Sequence, residues 1–345
     1  MYGRGRFCVL IVMALLIVSC GGVPNTPAAT TDSTRLVIYS GRNEALLKPV
    51  IDAFRAKYPA ITVDIKSGKN SELAAAILEE KTNPQADIFI STDMLTHINL
   101  RNEGVLAPAP IAGSEQIAPQ LKADDGSWTS ITSRARVIMY NTTLVDAADA
   151  PKSMLDLTDT KWSGKIAAAN STNGSMQAQV AMMYALIGRE ATQAWLAGLV
   201  ANETVFFGGH TDVRKAVGAG EFAIGIVNHY YYELQKREAS DNQVAVVYPD
   251  QDATHIGTMI NTTVVGQIQG APHAENARLF AEFLFTPQAQ QLFADVNYEY
   301  PLIPGVTTAE GVTPLDSMRV AVMDMTEIAA DVDEALQLMN DAGIP

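Results

Sequence analysis

From residue 35 onward, short apolar runs alternate with segments of helical periodicity. The runs at residues 36–39, 61–65 and 86–90 have the length of buried strands, and apolar residues recur at helical spacing after each of them. This pattern restricts the fold, because strands that alternate with helices form a mainly parallel sheet covered by helices. The sequence therefore predicts an α/β fold.

A second series of the same kind follows. Apolar runs at residues 137–140, 165–169, 205–207 and 222–227 predict further strands, and the chain length of 345 residues favours two domains. Ligands of such sheets bind outside the carboxyl ends of the strands. We therefore expect the binding chemistry in the turns that follow Tyr39, Ile90, Ala169, Phe207 and Val227.

Three helix predictions are specific enough to test. A helix opens near Ser71, which is a plausible N-cap. Two successive helices are expected over residues 175–187 and 191–199, and an amphipathic helix over residues 315–340.

The N-terminus has the composition of an export signal. Arg4 and Arg6 precede a twelve-residue apolar run at residues 7–18, which is short for a membrane span, although a transmembrane anchor is the alternative. The run leads into Cys20, in a context that resembles a bacterial lipobox, where the cysteine is acylated. Residues 1–20 are thus predicted to be a lipoprotein signal peptide ending at Cys20, and residues 21–34 a flexible tether. We expect an exported protein, lipid-anchored in the cell envelope and facing the periplasm or the exterior.

Composition excludes several classes of protein. The chain has 24 Lys and Arg against 38 Asp and Glu, a net charge of −14, which disfavours nucleic acid as a partner. It contains no H-E-x-x-H zinc motif, no G-x-S-x-G elbow and no P-loop. We therefore expect a binding protein rather than an enzyme.

Three consecutive tyrosines, Tyr230 to Tyr232, follow the predicted strand at 222–227 and open a charged helix. A phenol ionises near pH ~10 in water, so a phenolate at neutral pH needs strong positive charge close by. A hard trivalent cation would supply that charge. The alternative is that these rings only pack in the core.

Short strings spread over most of the folded part carry a resemblance. Together they make the chain similar to the periplasmic ferric-ion-binding proteins, the solute receptors of bacterial iron ABC importers. The strings are YSGRNE at 39–44, ADIF at 86–89, SRARV at 133–137, WSGKI at 162–166, TNGS at 172–175, NHYY at 228–231 and EYPL at 299–302.

The resemblance implies a two-lobe type II periplasmic-binding-protein fold. Such a fold has two mixed, mostly parallel sheets flanked by helices, with a hinge and a cleft between the lobes. By this analogy, lobe 1 comprises residues 35–133 and 260–310, and lobe 2 comprises residues 134–259 and 311–345. The implied partner is an ABC importer permease in the cytoplasmic membrane, and the implied oligomeric state is a monomer.

The resemblance also implies a ligand and its site. Tyr230 and Tyr231 correspond to the phenolates that bind Fe(III) in the family, while Tyr232 is expected to pack. The family binds a synergistic anion, such as carbonate or phosphate, at a helix N-terminus, where free N–H groups favour negative charge. The corresponding residues here are Asn173, Gly174, Ser175 and Asn228.

Three positions depart from the family pattern. Asn43 stands where some members have a histidine ligand, Thr92 where some have a glutamate, and His210 where an asparagine is common. Asp93 and Asn43 are therefore further candidate metal ligands, although Asp93 is equally a candidate N-cap.

The further candidates for the anion are Arg42, Arg134 and His210, since the two arginines could neutralise its charge. A second interpretation keeps the same fold but changes the ligand to a small organic molecule: a phosphonate, thiamine or a polyamine.

Overall fold

The structure is a computed structural model that describes residues 2–3, 34–322, 328 and 332–345. The predicted signal peptide and tether, with Cys20, lie outside the described residues apart from positions 2, 3 and 34. In the described part of the chain, no helix is both long enough and apolar enough to span a bilayer.

Strands and helices alternate along most of the chain. The strands are β1 Arg35–Ser40, β2 Thr62–Ser67, β3 Ile88–Ser91, β4 Thr129–Asn141, β5 Ile166–Ala169, β6 Val205–Phe207, β7 Ile224–Asn228, β8 Val244–Val247, β9 Ile260–Gln267 and β10 Tyr300–Pro301. The helices are α1 Glu44–Lys57, α2 Asn70–Glu79, α3 Met94–Asn102, α4 Gly174–Ala201, α5 His210–Gly218, α6 His229–Lys236, α7 Ala274–Leu284, α8 Pro287–Asn297 and α9 Val332–Asp341.

The strands form a path in the order β2-β1-β3-β9-β4-β7-β5-β6, and β8 and β10 pair with β4. The pairs β1–β2, β1–β3, β5–β6 and β5–β7 are parallel, whereas β9 and β4 run antiparallel to their neighbours. The sheet is thus mixed and flanked by helices, and the predicted α/β fold class is confirmed.

Strand β4 joins two regions of the sheet. Residues 129–135 pair with β9, and residues 136–140 pair with β7. We call β2, β1, β3, β9 and the first half of β4 the first sheet region, and the second half of β4 with β7, β5 and β6 the second sheet region. The lobe boundaries given above stay a prediction.

Each sheet region has its own apolar packing. Helices α1, α7 and α8 cover the first sheet region through a cluster that includes Phe54, Phe280 and Phe283, whose rings meet mostly edge to face. In the second sheet region, α5 packs on β7 through Val213 and Val217. The sheet faces are therefore buried, as the uninterrupted apolar runs require.

The pair of helices expected at 175–187 and 191–199 is confirmed: α4 consists of two helical segments that meet at Gly188, whose φ of 83° lies in the left-handed region. One helix prediction needs correction. The C-terminal helix does not begin at residue 315: Leu315–Ser317 form a single 3₁₀ turn. Val320 instead pairs with Thr258 as a β-bridge, so tertiary backbone pairing overrides the helical periodicity there.

Buried histidines make the stability of the fold sensitive to acid. Burial lowers the pKa of His97 to about 3 and that of His229 to about 4. The folded state keeps both rings neutral, while the unfolded chain protonates them below its pKa of ~6.5. Stability should therefore fall as pH drops from about 6.5 towards these values, by on the order of 1 kcal/mol per pH unit for each ring.

Urea unfolding of the metal-free protein between pH 6.5 and 5 measures this slope. His97→Gln should reduce the slope by the contribution of one ring. An unchanged slope in that variant would show that His97 is not the source of the acid sensitivity.

Candidate ligand-binding cavity

Six connections from the carboxyl ends of strands to the following helices meet at one cavity of about 170 Å³. The five turns expected to carry the chemistry all contribute, and the turn after β2 joins them through Gly68, Lys69 and Asn70. The first sheet region also supplies Arg42, Asn43, Thr92 and Arg134 to the wall. The second sheet region supplies Asn173, Gly174, Ser175, Gly208, His210, Tyr230 and Tyr231.

Tyr230 and Tyr231 lie side by side on the cavity wall. Strand β7 leads directly into α6, so both tyrosines fall in the first turn of that helix. Their ring centroids are 4.2 Å apart, and Tyr230 is only 7% exposed. Neither hydroxyl forms a hydrogen bond with a described residue, although buried phenols normally find one. Within the part of the chain that the structure describes, the cavity therefore holds two phenol groups without a hydrogen-bond partner.

Tyr232 is placed differently. Its ring contacts the ammonium group of Lys236 at 4.9 Å, and it is absent from the cavity wall. This placement agrees with the expectation that Tyr232 packs.

The charge state of Tyr230 follows from its surroundings. Burial raises its pKa well above 10, Tyr231 adds to that rise, and Arg134 and Arg42 oppose it. The ligand-free phenol is therefore protonated at neutral pH. A ligand that binds the phenolate must displace this proton.

Three buried arginines lie next to the tyrosines. Arg42 pairs with Glu299 at 2.5 Å, and the side chains are 3% and 0% exposed. Neither Arg134 nor Arg136 forms an ion pair with a described carboxylate; Arg134 donates to Thr263 Oγ1 and to the Thr92 carbonyl at 2.6 Å. The interior behind this cavity is thus positive, although the chain as a whole is strongly negative.

Arg136 was not singled out as a functional residue from the sequence. Its guanidinium donates to Gln179 Oε1 at 2.6 and 2.8 Å and to Asn228 Oδ1 at 2.8 Å. Burial lowers its pKa to about 9, so it stays charged at neutral pH. Arg134 and Arg136 are two residues apart on β4 and share one face of that strand, a pattern that the string SRARV does contain.

His210 lines the cavity and is neutral. Burial lowers its pKa well below 6.5, and Arg136 and Arg134 lower it further. Its Nε2 lies 3.2 Å from Arg136 Nη1, and because a guanidinium can only donate, Nε2 is the acceptor. The proton is therefore on Nδ1, which leaves a donor and no positive charge.

The start of α4 is both capped and part of the wall. Asn173 Oδ1 accepts hydrogen bonds from the backbone N–H of Ser175 at 3.1 Å and of Met176 at 3.2 Å. Ser175 Oγ accepts weak hydrogen bonds from Asn228 at 3.4 Å and from Asn261 at 3.3 Å. Asn228 lies behind Ser175 and is absent from the wall.

The two further metal candidates are both N-caps. Asn43 is exposed on the wall, and its Oδ1 accepts from Ala45 N at 2.9 Å. Asp93 is 4% exposed and absent from the wall; its carboxylate accepts from Thr96 N at 2.8 Å and from Asn70 Nδ2. The carboxylate of Asp93 therefore already accepts hydrogen bonds from the protein, and Asp93 is the N-cap of α3.

Among the described residues, no carboxylate lines the cavity. Its charged side chains are Arg42, Lys69 and Arg134, all cationic. Within the described ranges, no group of three or more His, Cys, Asp or Glu side chains is arranged to hold a metal ion. The wall therefore provides two phenol oxygens and neutral donor atoms for a metal, and it provides positive charge for an anion.

The buried pair Arg42–Glu299 should be important for stability. Glu299 also accepts from Thr132 Oγ1 at 2.5 Å, so Glu299→Gln would leave Arg42 buried without a counter-charge. We expect a loss of about 3–5 kcal/mol in the free energy of unfolding, measured with urea at pH 7. The matched control is Asp64→Asn, which breaks a 2.7 Å pair with Arg35 whose side chains are 50% and 47% exposed, and should cost about 0–1 kcal/mol. Equal losses in the two variants would contradict this assignment.

Comparisons with known proteins agree with the fold. A model of the bacterial extracellular solute-binding protein family matches residues 83–318. The chain is 31% identical to iron uptake protein A1 of Synechocystis sp., over 98% of this chain and 96% of that protein. It is 30% identical to the Fe(3+)-binding periplasmic protein of Serratia marcescens, over 98% of this chain and 99% of that protein.

Among solved structures, the ferric binding protein from Campylobacter jejuni superposes with a TM-score of 0.83 at 29% identity, over 90% of this chain and all of that one. The resemblance stated from the sequence strings is thus confirmed over nearly the whole chain. This chain belongs to the bacterial extracellular solute-binding protein family, together with the ferric-ion-binding proteins that it matches.

Proposed function

We propose that this chain is an extracytoplasmic receptor that captures ferric iron together with a small anion and delivers it to an ABC importer permease. One observation carries the proposal: two adjacent phenols, neither of which forms a hydrogen bond with a described residue, face a cavity that is backed by buried arginines. The relatives named for ferric binding support the choice of metal.

Charge explains why the phenols suit Fe(III). A bound cation lowers the pKa of the groups that coordinate it, because it stabilises their deprotonated form. The nearby Arg134 and Arg42 favour the phenolates in the same direction. Tyr230 and Tyr231 would therefore each lose a proton to the solvent when iron binds and would supply two negative charges.

The anion follows from what the wall lacks. Two phenolates leave a trivalent ion undercompensated, and no carboxylate of the described residues lines the cavity. We assign the missing charge to carbonate or phosphate. It would lie at the start of α4 near Gly174 and Ser175, with Arg42, Arg134 and the His210 Nδ1–H as further donors.

We further propose that binding brings two lobes together. The lobes would have the boundaries predicted above, which place the connections between them in β4, at the start of β9 and at residues 310–311. Each sheet region contributes part of the wall, so a ligand held by both would favour the closed arrangement.

We also propose that the protein is a monomeric lipoprotein anchored through Cys20, and that it has no enzymatic activity.

Purified protein loaded with Fe(III) and carbonate should show a visible phenolate-to-metal charge-transfer band. Tyr230→Phe and Tyr231→Phe should each weaken or abolish the band, because each removes a phenolate oxygen. Tyr232→Phe, which changes a ring outside the wall, is the matched control and should keep the band. A band that is unchanged in both of the first two variants would disprove the assignment.

Acid should release the metal. If both phenols lose a proton on binding, the affinity for Fe(III) should fall by about 100-fold for each pH unit below neutrality. Competition against a chelator, corrected for the protonation of the chelator, measures the slope. A pH-independent affinity would be incompatible with phenolate ligands.

A second candidate ligand is a small organic anion such as a phosphonate. The wall carries three cationic side chains and no carboxylate of the described residues. This charge favours an anion, and it disfavours thiamine and polyamines, which are cationic. The cavity volume of about 170 Å³ is small compared with the ~300–1,000 Å³ of sites for drug-sized ligands, which favours an ion with a compact anion. Thermal stabilisation by methylphosphonate, with none by Fe(III) and carbonate, would favour the second candidate.

A further inference from the structure

We propose that the side-chain amide of Asn70 is a positioning residue that sets how closely the start of α4 approaches the first sheet region. Its role depends on Gly41 and Gly174, which have no side chains at the two places where the amide is packed. The inference rests on the proposed function for one of its readouts, ligand affinity.

The amide is held rigidly on its own side of the cavity. Asn70 is the first residue of α2 and is 8% exposed. Its Nδ2 donates to Thr92 Oγ1 at 2.9 Å and to the Asp93 carboxylate, and its Oδ1 lies 3.4 Å from Thr92 N. The α2 and α3 connections thus fix the orientation of the amide, so it cannot turn away without losing these bonds.

Two glycines enclose this amide. A Cβ atom added to Gly41 would overlap with Asn70 Oδ1. A Cβ atom added to Gly174 would lie 2.8 Å from Asn70 Nδ2, 3.1 Å from Asp93 Oδ2 and 3.3 Å from Thr92 Oγ1. Neither glycine has a positive φ, so space, and not backbone conformation, is what requires glycine at these positions.

The contact at Gly174 connects the two sheet regions. Gly174 opens α4, which follows β5 of the second sheet region, while Asn70 and Asp93 follow strands of the first. The first turn of a helix is its positive end, so the buried carboxylate of Asp93 also favours the approach of α4. The contact therefore brings the wall formed by Gly174 and Ser175 to a fixed distance from the wall formed by Arg42 and Asn43.

Gly174→Ala should weaken ligand binding by at least ten-fold, because the added Cβ meets the fixed amide and holds α4 back. The backbone N–H at this position is unchanged, so the variant does not remove a donor from the anion. The matched control is Gly209→Ala, which lies next to the cavity wall but not on it; an added Cβ there has nothing within 4 Å, and the affinity should change by no more than about two-fold.

Removing the amide should rescue the variant. In the double variant Asn70→Ala with Gly174→Ala, the nearest atom struck by the new Cβ is gone and only the longer contacts with Asp93 and Thr92 remain, so the effect of Gly174→Ala should shrink towards that of Gly209→Ala. Asn70→Ala alone adds no atoms and tests the same contact even if Gly174→Ala does not fold. If the fold-changes in affinity caused by Asn70→Ala and by Gly174→Ala simply multiply in the double variant, the proposal is overturned.

A distance measurement separates this proposal from the identity of the ligand. Spin labels at Ala75→Cys and Lys215→Cys, both exposed, report the separation of the two sheet regions in full-length chain carrying Cys8→Ser and Cys20→Ser. The labelled chain with Asn70 and Gly174 unchanged should give a short distance between the two labels when Fe(III) and carbonate are added. The same short distance is expected, separately, with methylphosphonate. Gly174→Ala should give a longer distance at saturation, and the double variant should restore the short one.

The outcomes are distinct. If only methylphosphonate shortens the distance, the iron assignment fails while the role of Asn70 stands. If Fe(III) shortens the distance equally in Gly174→Ala and Gly209→Ala, the role of Asn70 fails while the iron assignment stands.

Discussion

Positive charge buried behind the cavity is the constraint on which the rest of this site depends. A guanidinium removed from water is costly unless hydrogen bonds and counter-charge compensate it, and Arg134 and Arg136 have hydrogen bonds but no ion pair with a described carboxylate. The described residues thus leave positive charge at the site uncompensated, and a negatively charged ligand would compensate it. Phenolates created by a bound metal and a small anion can both serve, which explains why no described carboxylate lines the cavity in an acidic chain.

The fold produces this arrangement with few elements. Strand β4 places two of the arginines on one face, and the connections after the parallel strands bring helix N-termini to the same edge. Both features direct positive potential into the cavity. The tyrosine pair owes its position to the direct passage from β7 into α6, which puts both rings in the first helical turn with centroids 4.2 Å apart.

Much of this could be predicted from the sequence, because it depends on local pattern. Strand ends identified the turns that meet at the cavity, and Tyr230 and Tyr231 stood out by adjacency at a helix start. Asn70 and Glu299 were missed, because their partners are distant in sequence: Gly174 for the amide and Arg42 for the carboxylate. The start of α2 at Asn70, one residue before the expected cap at Ser71, likewise depends on contacts with Thr92 and Asp93.

The shared strand has a consequence for folding. All thirteen residues of β4 are buried, and its two halves pair with β9 and with β7. If either half of the sheet unfolded, β4 would lose its backbone hydrogen-bond partners along half of its length. The other half of the sheet also depends on β4. The described domain should therefore melt as one cooperative unit, with no stable half-folded species.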